Sequence, residues 1–348
     1  MIIDNNIHHL PEDLFDNEEI MKGFLTTVPR SFGELASLST IPENGKRQLK
    51  LEKPKGYQNL NYVEGDYSLD AKLQAMDDAG VDIAIMRVPV WEEWLRLETC
   101  KIVNDQAADI VKRSNGRLFA NAVLPPWGGK DNIYELERCI KDLGMVAVQM
   151  SCHYGKLYLD DEAFKPYFKV LNELKVPVNV HHTPLPVDWG YIYEYTNLRR
   201  EYGRILDQGI AVGRELFSGL FEEFPDLKFI HTMMGGNWYA QYNQLIPPKS
   251  NKKEALTRLS SADGDRIEGY LKNNLYFDST HPHSLGKAQM ECAIKVCGAD
   301  HILLGTSFPV FYGWMSQGVK FMETLDITDE ERKLVTSGNA IRLYNLPV

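Results

Sequence analysis

Residues 145–181 read MVAVQMSCHYGKLYLDDEAFKPYFKVLNELKVPVNVH. Two short apolar runs rich in β-branched residues, 145–150 and 176–181, flank the segment 162–174, whose apolar residues recur at the spacing of an amphipathic helix. A strand, a helix and a second strand in this order form a parallel βαβ unit. The stretch therefore predicts a parallel sheet that is covered by helices.

The same alternation recurs along the whole chain. Strand-like runs are predicted at 1–6, 81–88, 118–123, 145–150, 176–181, 227–233, 275–277 and 302–304, and most are followed by an amphipathic segment. Eight such units favour a closed barrel over an open sheet. We therefore predict an α/β fold, a distorted (β/α)8 TIM barrel, as a single domain over residues 1–348.

Residues 10–66 do not fit the repeat. They are rich in Pro, Gly, Asn and Lys and follow the first predicted strand. Loops that follow barrel strands lie on the face where active sites are built. We expect this long insertion to cover the barrel mouth, and we expect further long loops at 184–201 and 247–265.

Charge and composition exclude several classes of function. The chain carries 48 acidic and 38 basic residues, a formal net charge of −10, without a basic run. An acidic surface of this kind argues against a nucleic-acid or anionic-membrane partner. Five scattered cysteines without a CxxC pair indicate reduced thiols, and no apolar leader or membrane-length segment is evident. We expect a cytoplasmic protein.

Six stretches, in order, resemble the amidohydrolase-2 group, which includes aminocarboxymuconate-semialdehyde and resorcylate decarboxylases. They are IDNNIHHLP (3–11), YLDDEAFKP (158–166), VPVNVH (176–181), FPDLK to GG (224–236), ADHILLGTSFP (299–309) and GNA (338–340). The resemblance implies a distorted barrel with one metal ion at the carboxyl ends of its strands. It also implies a lyase or a hydrolase that acts on a small molecule, and a homodimer.

The chain departs from the group at the positions that hold the metal. The resemblance places metal ligands at Asn6, His8, His181 and Ser307, and a catalytic histidine at Met233. Two imidazoles survive, but the carboxylate is replaced by serine. Catalytic zinc normally has three protein ligands and an open position. We therefore expect no conventional metal; if a divalent ion such as Zn²⁺ or Mn²⁺ is present, His8 and His181 would hold it.

Candidate catalytic residues are the two surviving histidines. Neutral imidazoles can accept and donate protons near physiological pH, so His8 and His181 are assigned acid–base roles. Four further residues are predicted to bind substrate: Asn6, Ser307, Arg87 and His283. Asn6 and Ser307 would hold a substrate oxygen, Arg87 would pair with a carboxylate through its fork, and His283 follows the seventh strand.

Three functional hypotheses follow. The preferred one is an enzyme that cleaves a C–C bond by decarboxylation, or hydrolyses or hydrates, a small oxygenated cyclic or aromatic substrate without the usual metal. The second is a metal-dependent decarboxylase or hydrolase with an unusual ligand set. The third is a non-catalytic barrel that binds a ligand, which the changes at Asn6, Met233 and Ser307 motivate.

Overall fold

Eight parallel strands form the centre of the molecule. The structure, a computed structural model, describes residues 1–29, 35–52, 58–183, 192, 195, 198–246, 264–281 and 285–348. The barrel strands are, in the order of their pairing, β1 (Ile3–His8), β5 (Ile83–Arg87), β6 (Leu118–Val123), β7 (Ala147–Ser151), β10 (Val178–His181), β11 (Phe229–His231), β12 (Leu275–Asp278) and β13 (Ile302–Leu303).

The first and last strands meet and close the barrel. The backbone amide of Asn5 donates to the Leu304 carbonyl at 2.7 Å, and that of His8 donates to the Phe308 carbonyl at 2.6 Å. All eight predicted strands are present, which confirms the (β/α)8 prediction. β1 extends to His8, two residues past its predicted end, and β11 stops at His231, two residues short of it. β11 stops there because the backbone turns left-handed at Met233, with φ of 53°.

Helices surround the barrel. They are α1 (Glu18–Thr27), α2 (Leu69–Ala79), α3 (Leu97–Arg113), α4 (Lys130–Lys141), α5 (Lys165–Leu174), α6 (Gly203–Phe217), α7 (Leu220–Glu223), α8 (Met233–Gly236), α9 (Tyr242–Leu245), α10 (Gly264–Asn273), α11 (Lys287–Cys297), α12 (Trp314–Thr324), α13 (Asp329–Lys333) and α14 (Asn339–Tyr344). Of these, α8 is a single turn with left-handed backbone angles. Helix α2 shows the local signals: the Ser68 hydroxyl accepts from Ala71 N, and Gly80 ends the helix in the left-handed region.

The insertion at residues 10–66 carries regular structure of its own, which the sequence analysis did not anticipate. It holds α1 and an antiparallel sheet of β2 (Leu35–Thr40), β3 (Arg47–Glu52) and β4 (Gln58–Val63). In β3, fully buried leucines (Leu49 and Leu51) alternate with polar residues. The high share of polar residues in this segment obscured that two-residue period in the sequence. A short hairpin, β8 (His153–Tyr154) with β9 (Leu157–Tyr158), follows β7.

The lower barrel interior is apolar. Side chains from alternate positions of six strands fill it, and the C-terminal helix α14 closes it; the strand residues are Ile3, Ile83, Ile85, Ala147, Ile230, Tyr276 and Leu303. A second, larger core lies between strands and helices. Across the residues that the structure describes, no helix is both long and apolar enough to span a bilayer. The predicted loop at 247–265 falls almost wholly outside those residues, as does much of the one at 184–201.

Candidate active site at the barrel mouth

A polar layer covers the apolar interior of the barrel. Arg87 and Asp278 form its centre, with guanidinium Nη1 and carboxylate Oδ2 at 3.5 Å and both side chains fully buried. Arg87 Nη2 donates to the Asn5 carbonyl at 2.7 Å and to Asn179 Oδ1 at 3.0 Å. The Tyr344 hydroxyl donates to the same Asn179 oxygen at 2.9 Å. This layer forms the floor of the site.

His8 and His181 meet above this floor. They end β1 and β10, and their ring centroids lie 5.5 Å apart in an edge-to-face arrangement. Both are buried. Parallel barrel strands bring their carboxyl ends to one face, so residues 173 positions apart in the chain become neighbours. The structure thus brings together the two residues to which the sequence assigned acid–base roles.

The two histidines differ in the hydrogen bonds of their ring nitrogens. His181 Nδ1 lies 2.9 Å from the His182 carbonyl, which can only accept, so Nδ1 carries the proton and Nε2 keeps its lone pair. His181 Nε2 and both nitrogens of His8 have no hydrogen-bond partner within the described ranges. Burial lowers the pKa of His181 to about 3, with the Arg87 charge as the next cause. Burial also lowers the pKa of His8 well below its usual range.

Asn6 and Ser307 line the same space. Asn6 Nδ2 donates to the Thr280 hydroxyl at 2.6 Å, and the backbone amide of Ser307 donates to the Asn6 carbonyl at 2.7 Å. Ser307 has a φ of 59°, which turns the chain back at the end of the last strand. Among the residues described, nothing bonds to Asn6 Oδ1 or Ser307 Oγ. Of the two residues, Ser307 lines the cavity beside His8, whereas Asn6 is fully buried next to it in the chain fold.

Arg87 does not reach the mouth. Its Nη2 is engaged by Asn5 and Asn179, and its Nη1 faces Asp278. This geometry opposes the expectation that Arg87 pairs with a substrate carboxylate, because the fork is already used inside the barrel. His283 lies outside the described residues, so its substrate-binding role stays a prediction.

Four functional groups escaped the sequence analysis: Glu92, Arg204, Asp278 and Thr280. Glu92 follows β5 and places Oε1 at 3.2 Å from His181 Nδ1, and burial raises its pKa well above the usual range. Arg204 on α6 is buried, yet its Nε and Nη2 bond to no described group. Burial lowers the Arg204 pKa to about 10, so it remains a cation at neutral pH. The one available signal was Asp278, an acid at the end of a barrel strand.

A cavity of about 40 Å³ opens beside His8. Its walls come from the insertion, from the loops after several strands and from α6. The residues that line it are His8, Leu60, Tyr62, Pro89, Val90, His182, Arg200, Glu201, Arg204, His281, Ser307, Val310 and Trp314. The lining carries two cations, Arg200 and Arg204, against one carboxylate, Glu201, and this excess of positive charge favours an anionic ligand. A ring-sized ligand needs these walls to part, since sites for such molecules are usually of about 300 Å³ or more.

The sixth strand contributes no acid or base to this space. The His231 ring packs outward against α6, with Nδ1 at 2.8 Å from Gln208 Oε1 and Nε2 at 2.7 Å from Glu215 Oε2. His231 lies two residues before Met233, the position of the family's histidine, and spacing alone would put it on the same inner face; the structure shows that it does not face the interior. Ile230 points inward instead, because neighbouring residues of a strand face opposite sides. Met233 is buried, as expected of a packing residue.

The donors at the mouth do not fit the metal that the resemblance implies. Asn6, His8, His181 and Ser307 are all neutral. Two carboxyl groups lie next to them: Glu92, 3.2 Å from His181 Nδ1, whose pKa is raised by burial, and Asp278, which is held by Arg87 and the Thr280 hydroxyl. No three donors of His, Cys, Asp or Glu from the described part of the chain come within 4.8 Å of one another here. Hard divalent ions prefer carboxylate ligands, which compensate their charge. This set offers none.

Comparison with known proteins gives the chain its family. The model of the amidohydrolase family (Amidohydro_2) matches residues 56–346. Gamma-resorcylate decarboxylase of Polaromonas sp. is 27% identical over 80% of this chain and 87% of that protein. The 2-amino-3-carboxymuconate-6-semialdehyde decarboxylase of Dictyostelium discoideum is 23% identical, over 80% of this chain and 76% of that one.

A solved structure shares the fold of this chain. The dihydroxybenzoic acid decarboxylase of Polaromonas sp. JS666, with bound manganese and the inhibitor 2-nitroresorcinol, superposes with a TM-score of 0.76 at 22% identity. The match covers 100% of this chain and 97% of that one. The fold therefore agrees along the full length with a barrel of this type. The chain belongs to the amidohydrolase family and, as the sequence predicted, is a lyase or hydrolase of the amidohydrolase superfamily.

Proposed function

We propose that this chain decarboxylates a small hydroxylated aromatic acid, and that His8 and His181 move the proton. One observation carries the proposal: two buried imidazoles meet at the barrel mouth, and three of their ring nitrogens have no hydrogen-bond partner among the described residues. The relatives support the substrate class, because the similar proteins named above are decarboxylases of carboxylic acids and one binds a resorcinol inhibitor.

The chemistry needs one proton on the ring carbon that carries the carboxylate. In an ortho-hydroxy acid, a neutral imidazole takes the hydroxyl proton and returns it to that carbon. The C–C bond then breaks, its electron pair enters the ring, and carbon dioxide leaves. The product phenolate takes one proton from solvent, so the atoms and charges balance. His181 Nε2 and His8 have the free lone pairs that this cycle requires.

Charge that develops on the ring oxygen must be stabilised. The Ser307 hydroxyl is an unpaired donor among the described residues, and it lies in the same cavity as His8. Oriented donors in a buried site stabilise an oxyanion without reorganisation. We assign Ser307 to the substrate oxygen, and the Asn6 side-chain carbonyl to a substrate hydroxyl that donates.

The acid group of the substrate is assigned to Arg204. Its guanidinium lines the cavity and has two nitrogens without a described partner, whereas Arg87 is engaged below. Burial raises the pKa of Glu92 well above its usual range and so favours its neutral form, and Glu92 Oε1 lies 3.2 Å from His181 Nδ1. In the neutral form it adds no negative charge that would oppose an anionic substrate.

Metal use separates two versions of this function. The manganese of the solved relative favours a divalent ion, whereas the neutral donor set opposes one. We propose the version without a metal, in which Asn6 and Ser307 hold the substrate oxygen. Hydrolysis, hydration and mere ligand binding are the competing functions. We also propose a cytoplasmic homodimer.

The test is a panel of benzoic acids with and without an ortho hydroxyl, assayed for carbon dioxide and for the phenol product. The protein is purified without a chelator, its metal content is measured, and the assay is repeated after dialysis against EDTA. We expect turnover of ortho-hydroxy acids that EDTA leaves unchanged. Stoichiometric manganese with loss of activity in EDTA would establish the metal-dependent version.

Variants separate catalysis from binding. His8→Asn and His181→Asn should each lower kcat by roughly 10² to 10⁴-fold, the usual contribution of acid–base catalysis. The matched control is His301→Gln, since this buried histidine stacks on Tyr276 away from the cavity. Ligand binding without turnover across the panel, unchanged in the His8 and His181 variants, would leave a non-catalytic barrel.

A further inference from the structure

A second group of chemical side chains lies apart from the cavity beside His8. Cys152 and His153 follow β7, and Asp207 lies on α6. Asp207 Oδ2 is 2.8 Å from His153 Nε2 and 3.5 Å from Cys152 Sγ, and one ligand atom from each of the three residues falls within 4.8 Å of the others. All three are buried, and none of them lines that cavity. We call these three residues the Cys–His–Asp cluster.

The sequence does not predict this cluster, because adjacent residues of an extended strand face opposite ways. The chain bends at Cys152, between β7 and β8, and this brings both side chains to Asp207. It is the one group of three such donors within 4.8 Å in the described part of the chain. Its partner on α6 is 54 residues further along, so only the fold assembles it.

The outer oxygen of Asp207 is also held. The Tyr158 hydroxyl donates to Asp207 Oδ1 at 2.5 Å, which turns Oδ2 toward the cluster. Glu93 Oε1 lies 3.8 Å from His153 Nδ1, beyond hydrogen-bond distance. When a metal replaces the 2.8 Å contact between Asp207 and Nε2, the ring proton must lie on Nδ1, on the side of Glu93.

We propose that the Cys–His–Asp cluster binds one zinc ion or another borderline divalent metal. A thiolate, an imidazole and a carboxylate are ligands that zinc prefers. Tetrahedral zinc, with bonds of about 2.3 Å to sulfur and 2.1 Å to oxygen, puts these two atoms about 3.6 Å apart. Cys152 Sγ and Asp207 Oδ2 lie 3.5 Å apart. Nε2 and Oδ2 must part from 2.8 Å to about 3.4 Å as the metal replaces their hydrogen bond.

The ligands of the Cys–His–Asp cluster can balance the charge of a divalent metal ion and complete its coordination. Binding releases the Cys152 thiol proton to solvent, so a thiolate and a carboxylate together neutralise the dication. The Thr183 hydroxyl, 3.0 Å from His153 Nε2, stands where it or a water can complete the fourth position. The cluster thus differs from the mouth, whose donors are neutral. The metal would tie the ends of β7 and β10 to α6, and this inference is independent of the proposed reaction.

Cobalt is the probe, because cobalt bound by thiolate absorbs in the near ultraviolet by sulfur-to-metal charge transfer. The full chain is produced in medium supplemented with Co²⁺, so that the buried site can load while the protein folds. We expect stoichiometric cobalt with this band in the wild type, and loss of the band in Cys152→Ser and Asp207→Asn. Cys139→Ser, which changes another buried cysteine, should keep it.

Two further variants locate the metal. A His8→Asn, His181→Asn double variant should keep the band, since it alters only the mouth. Tyr158→Phe should retain the ligands but weaken zinc binding by about 10 to 100-fold, the usual cost of losing an outer partner of a ligand. Thermal unfolding shows that each variant is folded. Zinc should raise Tm in the wild type, in Cys139→Ser and in the His8→Asn, His181→Asn double variant, and less in Tyr158→Phe, but not in Cys152→Ser or Asp207→Asn. A folded wild type without cobalt, or a band that survives Cys152→Ser, would overturn the proposal.

Discussion

Arg87 and Asp278 face each other across the barrel interior at 3.5 Å, and neither side chain is exposed. Arg87 is the last residue of the second barrel strand and Asp278 the last residue of the seventh, so the pair joins two strands that are not neighbours. The Asn5 and Asn179 side chains complete the layer around it. His181 lies above this layer, and the Arg87 charge contributes to lowering its pKa. The ion pair thus supports the site without touching a ligand.

Removing one partner of this pair should be costly. Arg87→Met leaves the Asp278 carboxylate buried without its cation, and we expect a loss of about 3–5 kcal/mol in the free energy of unfolding. The double variant Arg87→Met, Asp278→Asn leaves no uncompensated charge and should lose less than Arg87→Met alone. Urea denaturation measures both. Equal losses in the two variants would show that the pair is not the origin of the effect.

Restoring the family ligands should create a metal site. In Asn6→Glu, Ser307→Asp, two carboxylates join His8 and His181 at the mouth, and aspartate tolerates the left-handed backbone at position 307. We expect this variant to hold stoichiometric Mn²⁺ that the wild type does not hold, measured by elemental analysis after gel filtration. Its stability should depend on Mn²⁺, because the new carboxylate at position 6 faces Asp278 when no metal is present. Equal manganese in the wild type would refute the neutral-donor argument.

Arg204 should govern substrate affinity. If its guanidinium binds the substrate carboxylate, Arg204→Met should raise KM by about tenfold or more and change kcat less, because a charge-assisted contact of about 1.5–3 kcal/mol is lost. Arg214→Met is the control, since Arg214 lies on the same helix but pairs with Asp160 at 2.6 Å outside the cavity. A fall in kcat at constant KM would instead place Arg204 in the chemical step.

Lys72 should make stability depend on pH. Burial lowers its pKa from 10.5 in the unfolded chain to about 7 in the folded protein. The folded pKa is depressed, so its contribution to stability is fully present above the unfolded value and is lost as the pH falls toward 7. Lys72→Met removes this loss. Denaturation between about pH 9 and pH 7 should therefore show the variant gaining stability relative to the wild type as the pH falls; parallel curves would contradict this.

The strands were predictable because each is a local signal. A buried parallel strand is recognised in the sequence as a short run of β-branched residues. Eight such runs that alternate with amphipathic helices are compatible with few chain topologies. The insertion was harder, since β3 buries only every second residue and its leucines are separated by charged residues. β11 is shorter than predicted because the backbone of Met233 is left-handed. The apolar pattern of a strand does not reveal such a backbone conformation.

Only those site residues that lie at the ends of barrel strands could be identified from the sequence. His8 and His181 are at strand ends, and spacing placed them at one mouth. Glu92 and Arg204 could not be found in this way. Glu92 lies on the loop after β5, and Arg204 lies on α6, which reaches the barrel mouth. Arg87 shows the reverse: its strand position was read correctly, but its partners were not.

The sequence by itself determined the eight-strand barrel, the two mouth histidines and the neutral residues at positions 6 and 307, because these depend on residue type and local period. Only the tertiary structure decided which charges are paired. In the folded chain, Arg87 pairs with Asp278, and Arg204 lines the cavity. His231 packs against α6, and Asp207 lies beside Cys152 and His153. Burial and pairing depend on neighbours that are distant in the chain, and a linear sequence does not state them.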